Sequence, residues 1–343
     1  MCIKKPVRNL VAFGTLCLAL LAAAPRAQAE GETLRDVVFA DYSERSSSAE
    51  LARRMLSPLA MAQLERQTTR NGKQMVEQSI KLSEEKFIVY VPSPRPARGF
   101  ALLVFVPPWE DARLPPGWTA ALDRYGVIFV SAARSGNNES VFDRREPLAI
   151  LAAQNVVRRY AVDPGRVYIG GFSGGARVAL RLALAYPEVF HGAILNAGSD
   201  PIGDSQIPIP PKDLFLQFQS TRLVYVTGEG DTFQLSGDLA SMHSMKSWCV
   251  FDVQGHVERS GSHEVADSTS LAWALGTLLH DAQPDPKRLA ACRLAIEKDM
   301  NTKMQEVESL VAADHLDEAQ KLLIKIDGHY GGLAAPRSVD LAH

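Results

Sequence analysis

The stretch Arg166-Val167-Tyr168-Ile169-Gly170-Gly171-Phe172-Ser173-Gly174-Gly175-Ala176-Arg177-Val178-Ala179-Leu180 decides the fold. A β-branched run from Val167 to Ile169 passes into Gly-x-Ser-x-Gly and then into an Ala-, Leu- and Arg-rich helical pattern, which reads as strand, sharp turn, helix. A serine hydroxyl is a weak nucleophile unless it is held exposed beside a base. Gly171 and Gly175 leave room for the crowded backbone that such exposure requires. Ser173 is therefore a candidate nucleophile. The competing reading is a serine cap on a helix that begins after a tight turn.

Working outward, strands alternate with helical patterns. Ala101 to Val106 and Val127 to Ala132 read as strands, with a helix near Trp118 to Tyr125 between them and another from Glu146 to Tyr160 before the serine strand. Ala193 to Asn196, Leu223 to Thr227 and Trp248 to Val253 read as the later strands. This rhythm predicts an α/β fold, a mostly parallel central sheet with helices on both faces. Ligands bind such sheets at the carboxyl ends of the strands, so the loops there are where chemistry is to be sought. Ahead of this core, Met75 to Leu82 and Lys86 to Val91 read as a hairpin. Before that, a helical pattern from Ala49 to Leu64 is interrupted at Ser57-Pro58.

The run Tyr160-Ala161-Val162-Asp163-Pro164-Gly165-Arg166, continuing to Ser173, and the later Ala185-Tyr186-Pro187-Glu188-Val189-Phe190 carry a family resemblance. The chain resembles the α/β-hydrolase superfamily, and within it secreted esterases of the polyhydroxybutyrate depolymerase and feruloyl esterase group. The likeness spans about Phe87 to Leu279. Those esterases often read Ser-Ala-Gly-Gly where this chain has Ser173-Gly174-Gly175, a departure that keeps the motif core.

A hydrolase of this kind takes its acid and histidine after the serine along the chain. The histidine accepts and returns a proton, and a carboxylate fixes its tautomer. Leu223 to Thr227 runs into Gly228-Glu229-Gly230-Asp231, which places Asp231 at the carboxyl edge of the sheet as the expected acid. Asp200, after the preceding strand, is the alternative acid. Glu229 is nearer its strand, but the resemblance implies that such a turn uses the Asp. His263 is the expected base, because it precedes a helix rich in Leu271, Trp273, Leu275 and Leu279, the arrangement that the resemblance implies. His256 is the alternative base.

The oxyanion that develops on the substrate carbonyl needs aimed donors. One is expected from the backbone N–H of Gly174. The loop after Val106 begins Pro107-Pro108-Trp109, and proline has no N–H, so Trp109 is the first donor available there. The loop Ala133-Arg134-Ser135-Gly136-Asn137-Asn138 lies at the same edge, where Arg134 could anchor a carboxylate or belong to a solvated turn.

The N-terminus reads as an export signal. Lys4, Lys5 and Arg8 precede an apolar run from Leu10 to Ala24, and Ala27-Gln28-Ala29 carries small residues at a cleavage site. Residues 1–29 are taken as the signal, 30–74 as a polar and helical extension, 75–283 as the hydrolase domain, and 284–343 as a helical hairpin and tail. The apolar run is short for a membrane span, and none is expected after signal removal. Loss of the signal removes Cys2 and Cys17 and leaves Cys249 and Cys292, either a disulfide or two buried thiols.

From Pro286 to Ile326 the pattern is helical, with a turn near Asp314-His315 and Leu316, Ala319, Leu322, Leu323 and Ile326 on one face. This resembles a single tetratricopeptide hairpin. One copy makes no solenoid, so packing on the hydrolase domain and docking of a protein partner are both open roles. The tail after Gly331 is expected to be loosely ordered.

The chain has 343 residues, 46% of them hydrophobic, 22% charged, and a formal net charge of -2. That is enough for one large core, and no basic block suggests nucleic acid. No His or Cys cluster has ligand spacing, so no metal or other cofactor is implied. The sequence thus predicts an exported serine hydrolase, periplasmic or secreted, that cleaves a small or polymeric ester through an acyl-enzyme on Ser173. The alternatives are a non-catalytic scaffold that binds an envelope partner, and a serine peptidase or acyltransferase with the same residues.

Overall fold

The structure, a computed structural model, describes Met1 and residues 31–72, 75–259, 261–280 and 284–342. The expected signal, apart from Met1, lies outside the described residues.

Before the core come strand β1 (Glu32–Val37) and helices α1 (Ser48–Met55) and α2 (Pro58–Arg70). The break at Ser57-Pro58 has a simple cause. Ser57 caps α2 by accepting from the Ala60 N–H, and Pro58 occupies the first turn, where a missing N–H costs nothing. Next come β2 (Phe87–Val91), β3 (Phe100–Val106), α3 (Thr119–Tyr125), β4 (Val127–Ala132), α4 (Glu146–Arg159) and β5 (Val162–Phe172). They are followed by α5 (Gly174–Ala185), β6 (Gly192–Asn196), α6 (Lys212–Phe218), β7 (Arg222–Gly228), α7 (Thr232–Ser247), β8 (Val253–Glu258) and α8 (Ser268–Leu278). Helices α9 (Pro286–Ala312), α10 (Leu316–Tyr330) and α11 (Arg337–Leu341) end the chain.

The eight strands form one sheet in the order β1-β2-β4-β3-β5-β6-β7-β8. From β4 across to β8 every pairing is parallel, and the β1–β2 and β2–β4 pairings are antiparallel. All of β3 is buried, as a strand covered on both faces must be. Its Leu102, Val104 and Val106 face the layer that holds α4, α5 and α6, while Ala101, Leu103 and Phe105 face α3 and α8.

Three local expectations change. Met75 to Leu82 forms no strand, because side chains satisfy its backbone: Ser48 Oγ accepts from the Gln78 N–H and Tyr42 Oη from the Leu82 N–H. The outer neighbour of β2 is instead β1, antiparallel to it, which extends the sheet into the segment taken as a polar extension. The last strand begins at Val253 rather than Trp248. Trp248, Cys249 and Val250 are buried where α7 exits, with Cys249 in the left-handed region at φ 67°. The tail after Gly331 is ordered: Gly332 N–H donates to Ile209 O, and α11 packs on α2.

The helices α9 and α10 pair as a hairpin and lie on the sheet domain. Met304, Val307, Leu323 and Ile326 join the main core. A disulfide joins Cys249 to Cys292. Arg293 donates to Leu216 O and Gln219 Oε1, and the Tyr330 ring meets Trp248 edge-on at 6.1 Å. No helix among the described residues is long and apolar enough to cross a membrane.

Candidate active site

Ser173 stands between β5 and α5 with φ 55° and ψ -125°, a conformation that L-residues avoid and that turns a strand sharply into a helix. The turn is crowded. A Cβ on Gly171 would lie 2.3 Å from Gly175 C, and one on Gly175 would lie 1.9 Å from Val106 O. Glycine at both positions lets β5, α5 and the loop after β3 meet beneath the serine.

His263 Nε2 lies 2.9 Å from Ser173 Oγ, and His263 Nδ1 lies 2.5 Å from Asp231 Oδ2. The Asp231 carboxylate is largely enclosed at 9% side-chain exposure, whereas the His263 imidazole is 43% exposed. This suits a carboxylate that orients and a base that must meet substrate. The imidazole also lies against the Phe172 ring at 4.9 Å. The loops that carry the two residues are joined: Gly230 N–H donates to Gly261 O at 2.8 Å and Glu229 N–H to Glu258 O at 2.9 Å.

The alternatives are engaged elsewhere. Asp200 pairs with Arg177 at 3.1 Å, and Arg177 also donates to Gln234 Oε1. His256 lies within β8, opposite Val226, and stacks on Trp273 at 4.8 Å. Arg134 makes an ion pair with the buried Glu85 at 3.0 Å, which Arg144 also holds at 2.6 Å. It anchors its own loop.

Gly174 is the first residue of α5, where a backbone N–H has no acceptor within the helix. The loop that carries Trp109 arrives beside it, with Pro107 C 3.1 Å from the Cβ position of Gly175. The Trp109 ring lies 6.1 Å from Phe105 and 6.3 Å from Phe172, beneath the Arg113 guanidinium. Buried Arg145 ties this loop to the next by donating to both Pro107 O and Ser135 O.

Two supporting residues escaped sequence reasoning. Asn196, buried at the end of β6, donates to Val226 O at 2.9 Å and accepts from the Ala266 N–H at 2.7 Å, so it joins β7 to the histidine loop. Its only visible signal is an amide ending an apolar strand. Asp238 on α7 accepts from Thr227 Oγ1 at 2.5 Å and from Ser199 Oγ. Burial pushes its pKa up to about 6. Among the described residues no group of three or more His, Cys, Asp or Glu is placed to hold a metal ion.

No family model matches the chain. Among curated proteins, it is 30% identical over 95 residues to poly(3-hydroxyalkanoate) depolymerase C of Paucimonas lemoignei, covering 24% of this chain and 23% of that one. It is 29% identical over 98 residues to poly(3-hydroxybutyrate) depolymerase of Ralstonia pickettii, covering 24% and 20%. The match thus spans under a quarter of the length of either relative. Similar solved structures include S-formylglutathione hydrolase of Staphylococcus aureus, at 12% identity over 57% of this chain and 93% of that one with a TM-score of 0.44. A ferulic acid esterase aligns at 14% identity over 58% and 95%, also with a TM-score of 0.44.

Proposed function

We propose that this chain, which has the α/β-hydrolase fold, is an exported serine hydrolase that cleaves carboxylic esters through an acyl-enzyme on Ser173. The observation that carries the reading is the relay of Ser173 Oγ, His263 and Asp231 at 2.9 Å and 2.5 Å. In this mechanism His263 Nε2 takes the hydroxyl proton as Ser173 Oγ bonds to the acyl carbon. The carbonyl π electrons move onto oxygen, and the backbone N–H groups of Gly174 and Trp109 hold the charge. His263 then gives its proton to the departing alkoxide oxygen. Water, activated by the same imidazole, releases the acid and restores the serine. Throughout, Asp231 accepts from Nδ1–H and stabilises the imidazolium.

An ester substrate is supported by the names of the two depolymerases that share part of the sequence. Exposed Phe233, two residues after Asp231, adds an apolar group beside the acid loop that suits an acyl or polymer chain. Export is supported by the leader pattern and by the disulfide, a bond that persists in oxidising compartments. The division at residue 29 and that near residue 284 stay as proposed from the sequence, while β1 (Glu32–Val37) joins the sheet of the hydrolase domain, and the hairpin acts first as a packed part of the enzyme.

Labelling of the purified mature protein with a fluorophosphonate, beside Ser173→Ala, tests the reading. Labelling of wild type alone is expected, with turnover of short-chain aryl esters exceeding that of peptide anilides. Absence of labelling would leave the non-catalytic scaffold, and preference for peptides or for acyl acceptors other than water would leave the peptidase or acyltransferase.

A further inference from the structure

Gly174 does not need to be glycine for its backbone. It opens α5 outside the left-handed φ region, where alanine would favour the helix by about 1 kcal/mol. What glycine supplies is space. A Cβ there would lie 2.3 Å from Asn137 Oδ1, 3.0 Å from Asn137 Cγ and 3.3 Å from Asn137 Nδ2. The Asn137 amide thus occupies the volume beside the residue that follows the nucleophile.

The amide is held there by its backbone. Asn137 N–H donates to Pro108 O at 3.0 Å, and Arg134 N–H donates to Glu110 O at 2.7 Å. Arg145 binds Ser135 O and Pro107 O from beneath. The loop after β4 is therefore fastened to the loop after β3 on both sides of Trp109. The Asn137 side chain itself is solvent-exposed and has no hydrogen-bond partner among the described residues.

We propose that Asn137 is a further catalytic residue of the reaction set out above, supplying a side-chain N–H to the oxyanion beside the Gly174 N–H. The inference rests on the serine-hydrolase reading. Two donors that share one acceptor at about 2.9 Å each must lie within about 5.8 Å of each other. The 3.3 Å from Nδ2 to the Gly174 Cβ position, added to about 2.5 Å from Cβ to N within one residue, keeps the pair inside that limit. Rotation about the Asn137 Cβ–Cγ bond turns the amide nitrogen toward the acceptor without moving the backbone.

The test measures kcat, KM and phosphonylation rate on an aryl ester and a fluorophosphonate for wild type, Asn137→Ala, Asn137→Asp and Gly174→Ala, plus the Gly174→Ala/Asn137→Ala double variant. Thermal melts establish that each is folded. Loss of one oxyanion donor predicts kcat lower by about 10- to 100-fold in Asn137→Ala with KM changed by less than about 2-fold, and a larger loss in Asn137→Asp, whose carboxylate repels the oxyanion. Gly174→Ala displaces the amide and lowers kcat similarly, yet adds nothing in the double variant. Wild-type kcat in either Asn137→Ala or Gly174→Ala, or a change confined to KM, overturns the proposal while leaving a labelled Ser173 in place. An unlabelled wild type overturns the hydrolase reading and the proposal together.

Discussion

Asp231 divides its carboxylate between two tasks: Oδ2 meets His263 Nδ1 at 2.5 Å, and Oδ1 accepts the Gln234 N–H at 3.3 Å, where it caps α7. The cap prevents the carboxylate from rotating away from the imidazole, so helix formation and histidine orientation are coupled. Asp231→Asn can keep the cap but offers an amide to the imidazole and favours the wrong tautomer. Its kcat should fall by about 10⁴-fold with little change in melting temperature. Asp200→Asn, measured beside it, should keep kcat within about 10-fold. The reverse order would move the acid to Asp200.

The two histidines separate in the same way. His263→Ala should abolish turnover and fluorophosphonate labelling to near the Ser173→Ala level. His256→Ala removes a ring stacked on Trp273, so a modest loss of stability, about 1 kcal/mol, with kcat largely kept is expected. Kinetics and urea denaturation on both variants decide it.

Asp238 makes stability depend on pH. Its pKa rises from 3.8 to about 6 because burial disfavours the charged form, so the folded chain holds that proton more tightly than the unfolded one. The folded state therefore gains from this group below about pH 4, and that gain is lost as pH rises through about 6. The shift corresponds to about 3 kcal/mol. Urea unfolding of wild type and Asp238→Asn across this range should show wild type losing about that much relative to the variant. A difference independent of pH would refute the assignment.

The Cys249–Cys292 bond closes a separation of 43 residues. Chain-entropy reasoning gives such a loop about 4 kcal/mol of stabilisation. Cys292→Ser, or wild type under reductant, should melt at lower temperature. Proteolysis should then begin in the first half of α9, where Leu289 is the one buried residue before Met304. Equal melting points with and without reductant would contradict this.

Legibility in the sequence followed the range of the interactions. The serine turn was readable because strand, glycine spacing and helix lie within fifteen consecutive residues. Asp231 and His263 were readable because loops at one sheet edge must supply them in chain order. Strand β1 was not, since Glu32–Val37 is mostly polar and pairs with a strand some fifty residues later. β8 hid for a similar reason: it is an edge strand with only Val253 buried, while the apolar Trp248 to Val250 beside it packs as a helix exit. Asn196 and Asp238 act through folded neighbours, and Asn137 comes beside Gly174 only when the loops after β3 and β4 are fastened together. Nothing adjacent in the chain marks such residues.

The hydrogen bond from the Leu59 N–H to Asp327 Oδ1 spans 268 residues. During vectorial synthesis, Leu59 emerges 268 residues ahead of its partner Asp327 on α10, and closing so long a loop must wait for it. Helix α2 is thus stitched down by the α9–α10 hairpin after the sheet is complete, whereas α1 is held on α5 by Arg54. Nascent chains halted before Asp327 should be cut within residues 57–70 by a protease that spares the released protein, and equal protection of both would show that α2 docks without its late partner.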